Sequence, residues 1–215
     1  FSFFIQSNGT LWASGLNTFG VLGISDVTNR FSPVQVGTGS NWSKISTGDT
    51  AGQHAVAIQS DGTLWSWGNN SYGQLGLGNT IYRSVPTQVG TSSWTQVVQA
   101  NGGATYYTLG ILNTGALFAW GGNTNGQLGL RDIIHRSSPV QIGASSWSSI
   151  SAGISSTIGT TQDKTLFAWG GNASGQLGQN DILHRSSPVQ IGSTSYSVVG
   201  AGGNGIIGSS IVLIP

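Results

Sequence analysis

The sequence has no cysteine, no methionine and no glutamate, and of its 215 residues only seven are Lys or Arg and six are Asp. Without cysteine, disulfides and thiolate metal sites are excluded. Losing methionine as well removes the readily oxidised side chains, which suits a long-lived, exposed particle or surface protein. A formal net charge of +1 with scattered cations leaves no basic stripe for nucleic acid. No apolar run approaches the roughly 18 residues needed to span a bilayer. The chain begins at Phe1 without a basic n-region, so no signal peptide is visible and residue 1 reads as a processed or truncated start. So little charge also argues against a disordered polyelectrolyte.

What is present points to many short strands around a packed core. There are 35 Gly and eight Trp, with Ser, Thr and Asn filling much of the remainder, a composition of turns between strands. The order of these residues is periodic. Ser66-Trp67-Gly68-Asn69-Asn70 returns as Ala119-Trp120-Gly121-Gly122-Asn123 and Ala168-Trp169-Gly170-Gly171-Asn172, with a weaker copy at Ala13-Ser14-Gly15-Leu16-Asn17. A second block, Gly73-Gln74-Leu75-Gly76, is matched at 126–129, at 175–178 and, as Gly20-Val21-Leu22-Gly23, in the first copy. A third block opens on Arg30, Arg83, Arg136 or Arg185, continues through a Pro and closes on Gln, Val or Ile, and Gly. An aromatic slot then holds Trp42, Trp94, Trp147 and Tyr196. The period is about 50 residues, that of a propeller blade.

These ordered blocks resemble the repeats of the regulator of chromosome condensation family, whose typical unit carries a Trp-Gly-x-Asn-x-x-Gly-Gln-Leu-Gly core. The resemblance covers nearly the whole chain, and the sparse charge gives it a bacterial or phage-like look. It implies an all-β protein, a β-propeller of four-stranded antiparallel blades. The best-known members have seven blades and act on a small GTPase, while others are interaction modules only. About four repeats are present here. The chain reads as one array over 1–215, with units at 1–41, 42–93, 94–146 and 147–195 and a partial unit at 196–215. It opens and closes inside a repeat, which predicts a piece of a longer polypeptide. A ring completed by several chains, or closed by Phe1 to Ile5 joining the last blade, is the alternative.

Local patterns agree with blades. In the second repeat, His54 to Ile58 and Thr63 to Trp67 flank the turn Ser60-Asp61-Gly62 and predict a hairpin. Thr87 to Val89 and Trp94 to Val98 are further strand candidates, the former placed after Pro86 because Pro cannot sit centrally in a sheet. Side chains alternate faces, so in Leu64-Trp65-Ser66-Trp67 the two indoles share one face and Ser66 keeps the other small. Bulky rings then pack on the small face of the adjoining blade. Each buried aromatic removes roughly 150–250 Å² from water, on the order of 4–6 kcal/mol gross. Trp67, Trp120 and Trp169 are the expected seam residues. Arg30, Arg83, Arg136 and Arg185, each four residues after an Asp or Asn, are expected to clamp carboxylates or carbonyls between blades.

Catalytic chemistry finds no support. Asp61 and Asp163 fall in hairpin turns, where Asp bonds backbone; Asp26, Asp132 and Asp181 belong to the repeated loop, and none forms an acid/base pair. Asn101-Gly102-Gly103 and Gly202-Gly203-Asn204-Gly205 lack the Lys-Ser/Thr ending of a phosphate loop. No cofactor, catalytic residue or metal site is expected. The residues Ile81-Tyr82, Ile133-Ile134-His135 and Ile182-Leu183-His184 lie between two repeated blocks, and if gathered on one rim they form a partner-contact patch. The expected function is a non-enzymatic interaction or structural module, surface-exposed as a virion receptor-binding part or a cell-surface adhesin, with a protein or glycan partner. The alternative is a guanine-nucleotide exchange factor or chromatin-binding propeller.

Overall fold

The computed structural model describes residues 1–47, 54–100, 106–193, 195–196, 198–201 and 211–214. The glycine-rich segments at 101–103 and 202–205 lie outside the described residues. The first sheet is β1 (Ser2–Ile5), β2 (Leu11–Gly15) and β3 (Arg30–Gln35), joined in that order. Three four-stranded sheets follow: β4 (Trp42–Thr47), β5 (His54–Gln59), β6 (Leu64–Gly68), β7 (Arg83–Gln88); then β8 (Trp94–Ala100), β9 (Tyr107–Leu112), β10 (Leu117–Gly121), β11 (Arg136–Gln141); then β12 (Trp147–Ala152), β13 (Ser156–Thr161), β14 (Leu166–Gly170), β15 (Arg185–Gln190). A two-stranded sheet, β16 (Val198–Ala201) and β17 (Ile211–Ile214), ends the array. Every pairing is antiparallel between sequence neighbours. The first strands β4, β8, β12 and β16 adjoin one another from sheet to sheet, the arrangement of blades about a propeller axis. Among the described residues no helix is long and apolar enough to cross a membrane.

One strand differs from the sequence expectation. Pro86 lies inside β7 rather than before it. It is accommodated because β7 is the edge strand of its sheet and because the β6–β7 register shifts between Ser66 and Gly68. A proline has no N–H to donate, and an edge strand at a bulge does not need one.

The seams between blades are built as the alternation implies. Trp67, Trp120 and Trp169 are fully buried. Trp67 clusters with Leu11, Ala13 and Leu22 of the first sheet. Trp120 clusters with Val56 and Leu64 of the second, and Trp169 with Leu117 and Ala119 of the third. Each ring therefore rests on the small side of the preceding blade. Its nitrogen is satisfied there too. Trp67 Nε1 donates to the Val21 carbonyl at 2.7 Å, Trp120 Nε1 to Gln74 at 2.9 Å and Trp169 Nε1 to Gln127 at 3.0 Å.

The glycine ending the Gly-Gln-Leu-Gly block makes this approach possible. A Cβ on Gly76 would fall 2.8 Å from Trp120 Nε1, and one on Gly129 2.8 Å from Trp169 Nε1. Gly76 also holds φ +72°, a conformation other residues adopt at a cost. Leu22, Leu75, Leu128 and Leu177, one residue earlier, are buried beneath the turn.

Trp120→Ala should lower the unfolding free energy by about 3–5 kcal/mol in a urea titration. Gly76→Ala should cost more than about 1 kcal/mol, because it adds a clash to an incompatible φ. Val27→Ala, on an exposed loop, should stay within about 0.5 kcal/mol.

Candidate functional site

The loop joining the third and fourth strands of each blade carries the candidate residues, and one buried asparagine organises it. Asn70 Oδ1 accepts from the Leu75 N–H at 2.9 Å, while its Nδ2 donates to the Asn79 carbonyl at 2.9 Å. Asn123 repeats this with Leu128 and Asp132 at 2.9 and 3.0 Å, and Asn172 with Leu177 and Asp181 at 2.9 Å each. Asn17 does the same in the first sheet. A buried amide with all of its partners fixes one loop conformation. Sequence reasoning passed over these residues, although an Asn at the same offset from four anchor glycines was a visible signal.

The arginines act within these loops and not between blades. Arg136 bonds Asp132 at 2.5 Å and the Ile134 carbonyl at 3.0 Å; Arg185 bonds Asp181 and Leu183, and Arg30 bonds Asp26 and Thr28. Arg83 faces Asn79 in place of an aspartate and bonds the Ile81 and Tyr82 carbonyls. The reason is local: the chain reverses between the two residues, bringing the guanidinium onto its own loop's acceptors. The Asp side chains of these pairs are about one-third exposed, so each pair adds little stability of its own. The Asp181 carboxyl is held below its ordinary value, first by the Leu183 N–H, against partial burial, then by Arg185 and Asn172. Asp26 is lowered likewise, first by the Thr28 N–H.

With its base fixed, each loop turns apolar side chains outward. Ile81, Ile133, Ile134, Ile182 and Leu183 are 61–68% exposed, and Tyr82 is 51% exposed. Val27 of the first sheet is exposed at an equivalent place. His135 and His184 differ from their neighbours. Their Nδ1 atoms accept from the backbone N–H of Asn123 at 2.9 Å and of Asn172 at 2.8 Å, where Asn29 Oδ1 serves Asn17 in the first sheet. They are therefore parts of the loop frame. Neighbouring loops touch through rings: Phe19 meets Tyr82 with centroids 6.3 Å apart, and Tyr72 meets His135 at 5.2 Å. The same loop thus presents exposed apolar side chains on three consecutive blades.

Polar residues elsewhere are taken up in packing. His54 is buried with Nε2 3.2 Å from Thr108 Oγ1 of the next blade. Tyr107, its counterpart, donates its one hydroxyl proton to the Ser156 carbonyl at 2.8 Å, with the Gly153 carbonyl 3.1 Å away, and burial pushes its phenol well above the ordinary value. Among the described residues no group of three or more His or Asp side chains could hold a metal ion.

Comparison with known proteins places this geometry. Residues 61–109, 114–159 and 163–205 match the family described as "Regulator of chromosome condensation (RCC1) repeat", and a second family of that description matches 42–74 and 147–176. The chain is 36% identical over 135 residues to the ultraviolet-B receptor UVR8 of Arabidopsis thaliana, covering 63% of this chain and 30% of that protein. It is 31% identical over 144 residues to the human regulator of chromosome condensation, covering 66% of this chain and 34% of that protein. The chain thus spans about a third of the length of these curated relatives. Human WBSCR16 superposes with a TM-score of 0.81 at 23% identity, over 98% of this chain and 54% of that one. Prp20p of Saccharomyces cerevisiae gives 0.79 at 20% identity, over 98% and 52%. At such identities the likeness concerns the propeller fold.

Asn123→Ala should cost about 1–3 kcal/mol, because it leaves the buried Leu128 N–H without a partner; thermal melts and amide exchange at Leu128 check it. The aspartate contribution carries a definite sign. A carboxyl lowered in the folded state stabilises above the ordinary value of 3.8 and loses that effect as pH falls through the folded value. Loop amides of Leu183 and Thr28 should therefore lose exchange protection only below about pH 3.8.

Proposed function

Because the chain belongs to the regulator of chromosome condensation (RCC1) repeat family, we propose that it is a non-enzymatic interaction module that holds a protein partner on its apolar rim, displayed on a virion or cell surface. The observation that carries this reading is the rim itself. Six large apolar side chains, Ile81, Tyr82, Ile133, Ile134, Ile182 and Leu183, stand more than half exposed on three consecutive blades, above loops whose backbone is fixed by buried asparagines. Exposed apolar groups held on a rigid base and clustered on one edge mark a contact surface. Absence of cysteine and methionine and the sparse charge support the exposed location.

Nucleotide exchange on a small GTPase, or chromatin binding, is the competing reading. Prp20p is a family structure studied for its binding to Gsp1p and histones. A basic partner calls for a charged, acidic surface. Here three of the six Asp are engaged by arginines of their own loops, and the large side chains that stand outward on those loops are apolar, with the exposed Arg131 beside them.

The test compares affinity capture by the wild-type chain and by the double variant Ile134→Asp, Leu183→Asp. Both sites are solvent-exposed, so the melting temperature should hold while captured partners are lost. An unchanged capture profile would remove the rim from the interface. Accelerated nucleotide release from a purified small GTPase by the wild-type chain would overturn the non-enzymatic reading.

A further inference from the structure

The eight tryptophans fall into two sets. Five indole nitrogens are hydrogen-bonded: Trp12 and Trp65 to threonine hydroxyls two residues earlier, and the three seam residues to carbonyls of the preceding blade. The other three, Trp42, Trp94 and Trp147, are 93–97% buried, being 7%, 5% and 3% exposed, and their Nε1 atoms have no hydrogen-bond partner. They occupy the same slot of successive repeats. A buried donor left unpaired is costly and uncommon, and its recurrence at one slot of the repeat calls for a common reason.

That slot borders a cleft between blades. Trp94 and Phe118 line an open cleft of about 450 Å³ together with Gly78, Val89, Ser138 and Pro139. Its repeat equivalent is walled by Trp147 and Phe167 with Ile142, Ser187 and Pro188, but Arg131 replaces Gly78 and the volume falls to about 220 Å³. Only the larger lies in the roughly 300–1,000 Å³ range of ligand sites. The edge of Trp94 opposite its nitrogen packs on Gly110, where an added Cβ would meet Cζ3 at 2.6 Å. At the first junction, a Cβ on Gly39 would lie 3.7 Å from Trp42 Nε1, so the nitrogen faces the turn before its own strand. In the larger cleft the corresponding turn residues Gly90 and Ser92 are part of the lining. Gly37, Gly90 and Gly143 have open space beside them, which leaves these turns room to shift and uncover the indole.

We propose that the cleft between the second and third blades is a binding site for a neutral sugar ring, with weaker copies at equivalent junctions, so that the array binds a neutral glycan multivalently. This rests on the interaction-module reading and adds a second kind of ligand, held by residues other than the six exposed apolar side chains. The chemistry of the lining selects the class. No charged side chain lines the larger cleft, so anionic sugars gain nothing there. An aromatic wall with a proline suits the C–H face of a pyranose. A sugar hydroxyl accepts from the orphan indole N–H while donating to Ser92 or Ser138. Sites one per junction match a repeating polymer better than a single extended peptide. The residue at position 78 or 131 sets the size of each copy. Arg131 already holds φ +68° where Gly78 holds +74°, so an arginine fits this backbone.

The test uses the whole 215-residue chain. Methyl glycosides of glucose, mannose, galactose and N-acetylglucosamine are titrated by saturation-transfer NMR and tryptophan fluorescence, alongside dextran, mannan, heparin and a decaproline peptide. At least one methyl glycoside should bind saturably, and a polymer of that sugar at least about tenfold more tightly. Gly78→Arg should weaken binding at least about tenfold, and Arg131→Gly should strengthen polymer binding, with Phe118→Leu as a second weakening variant should Gly78→Arg fold poorly. The Ile134→Asp, Leu183→Asp variant should bind glycosides as wild type does, which separates this site from the rim. Binding of none of the four glycosides, binding of heparin or decaproline alone, or indifference to both the Gly78 and Arg131 substitutions would overturn the proposal.

Discussion

An indole lying flat against a glycine, with its nitrogen bonded to the neighbouring carbonyl, is the contact on which the architecture rests. A single four-stranded sheet has two faces and no means of burying both. Trp67, Trp120 and Trp169 solve this by crossing to the preceding blade, where they meet Gly23, Gly76 and Gly129. Three conditions must hold together: no Cβ on the glycine, a carbonyl two residues before it turned to the indole nitrogen, and a small residue on the facing strand. Ala13, Ser66 and Ala119 meet the last condition and are buried. The ring contributes both apolar area and a satisfied donor, so the seam is tight and specific at once.

The loops follow from that contact. Holding Gly-Gln-Leu-Gly under the next blade's indole fixes one end of the connection to the edge strand. Asn70, Asn123 and Asn172 then tie the leucine of that block to the far side of the loop. The Asp and His side chains of the intervening stretch bond within the loop, while Ile81, Ile133, Ile134, Ile182 and Leu183 point outward as the rim. A rigid base beneath an apolar crest lowers the ordering cost of association. The Asp132–Arg136 and Asp181–Arg185 pairs flank this crest.

Most of the fold was legible because each structural requirement recurs once per repeat. Trp67, Gly76 and Leu75 announce themselves by returning at fixed offsets, and the faces of Leu64-Trp65-Ser66-Trp67 follow from strand alternation alone. Position within a sheet was harder. Pro86 lies inside β7, and nothing in the sequence says that β7 is an edge opposite a bulge. Arg136 meets Asp132 of its own loop, and sequence offset alone does not show that the loop folds back onto it. The inter-blade cleft was invisible for a different reason. Its walls come from adjacent repeats, Gly76, Gly78 and Val89 from one and Trp94, Phe118 and Pro139 from the next, and only folding brings them together. The outward direction of Ile134 and Leu183 was readable as an apolar anomaly in a polar loop; what lies beneath them was not.

The seam has a head and a tail. Each of the first three blades offers a glycine turn forward and each of the second to fourth a tryptophan backward, and the two halves are chemically the same at these junctions. Excising one whole period, such as 94–146, would leave Gly76 facing Trp169 with the same partner chemistry that Gly76 now finds in Trp120. Duplication or loss of a unit in the gene therefore creates no foreign junction, and arrays of different length are reachable by recombination without redesigning any interface.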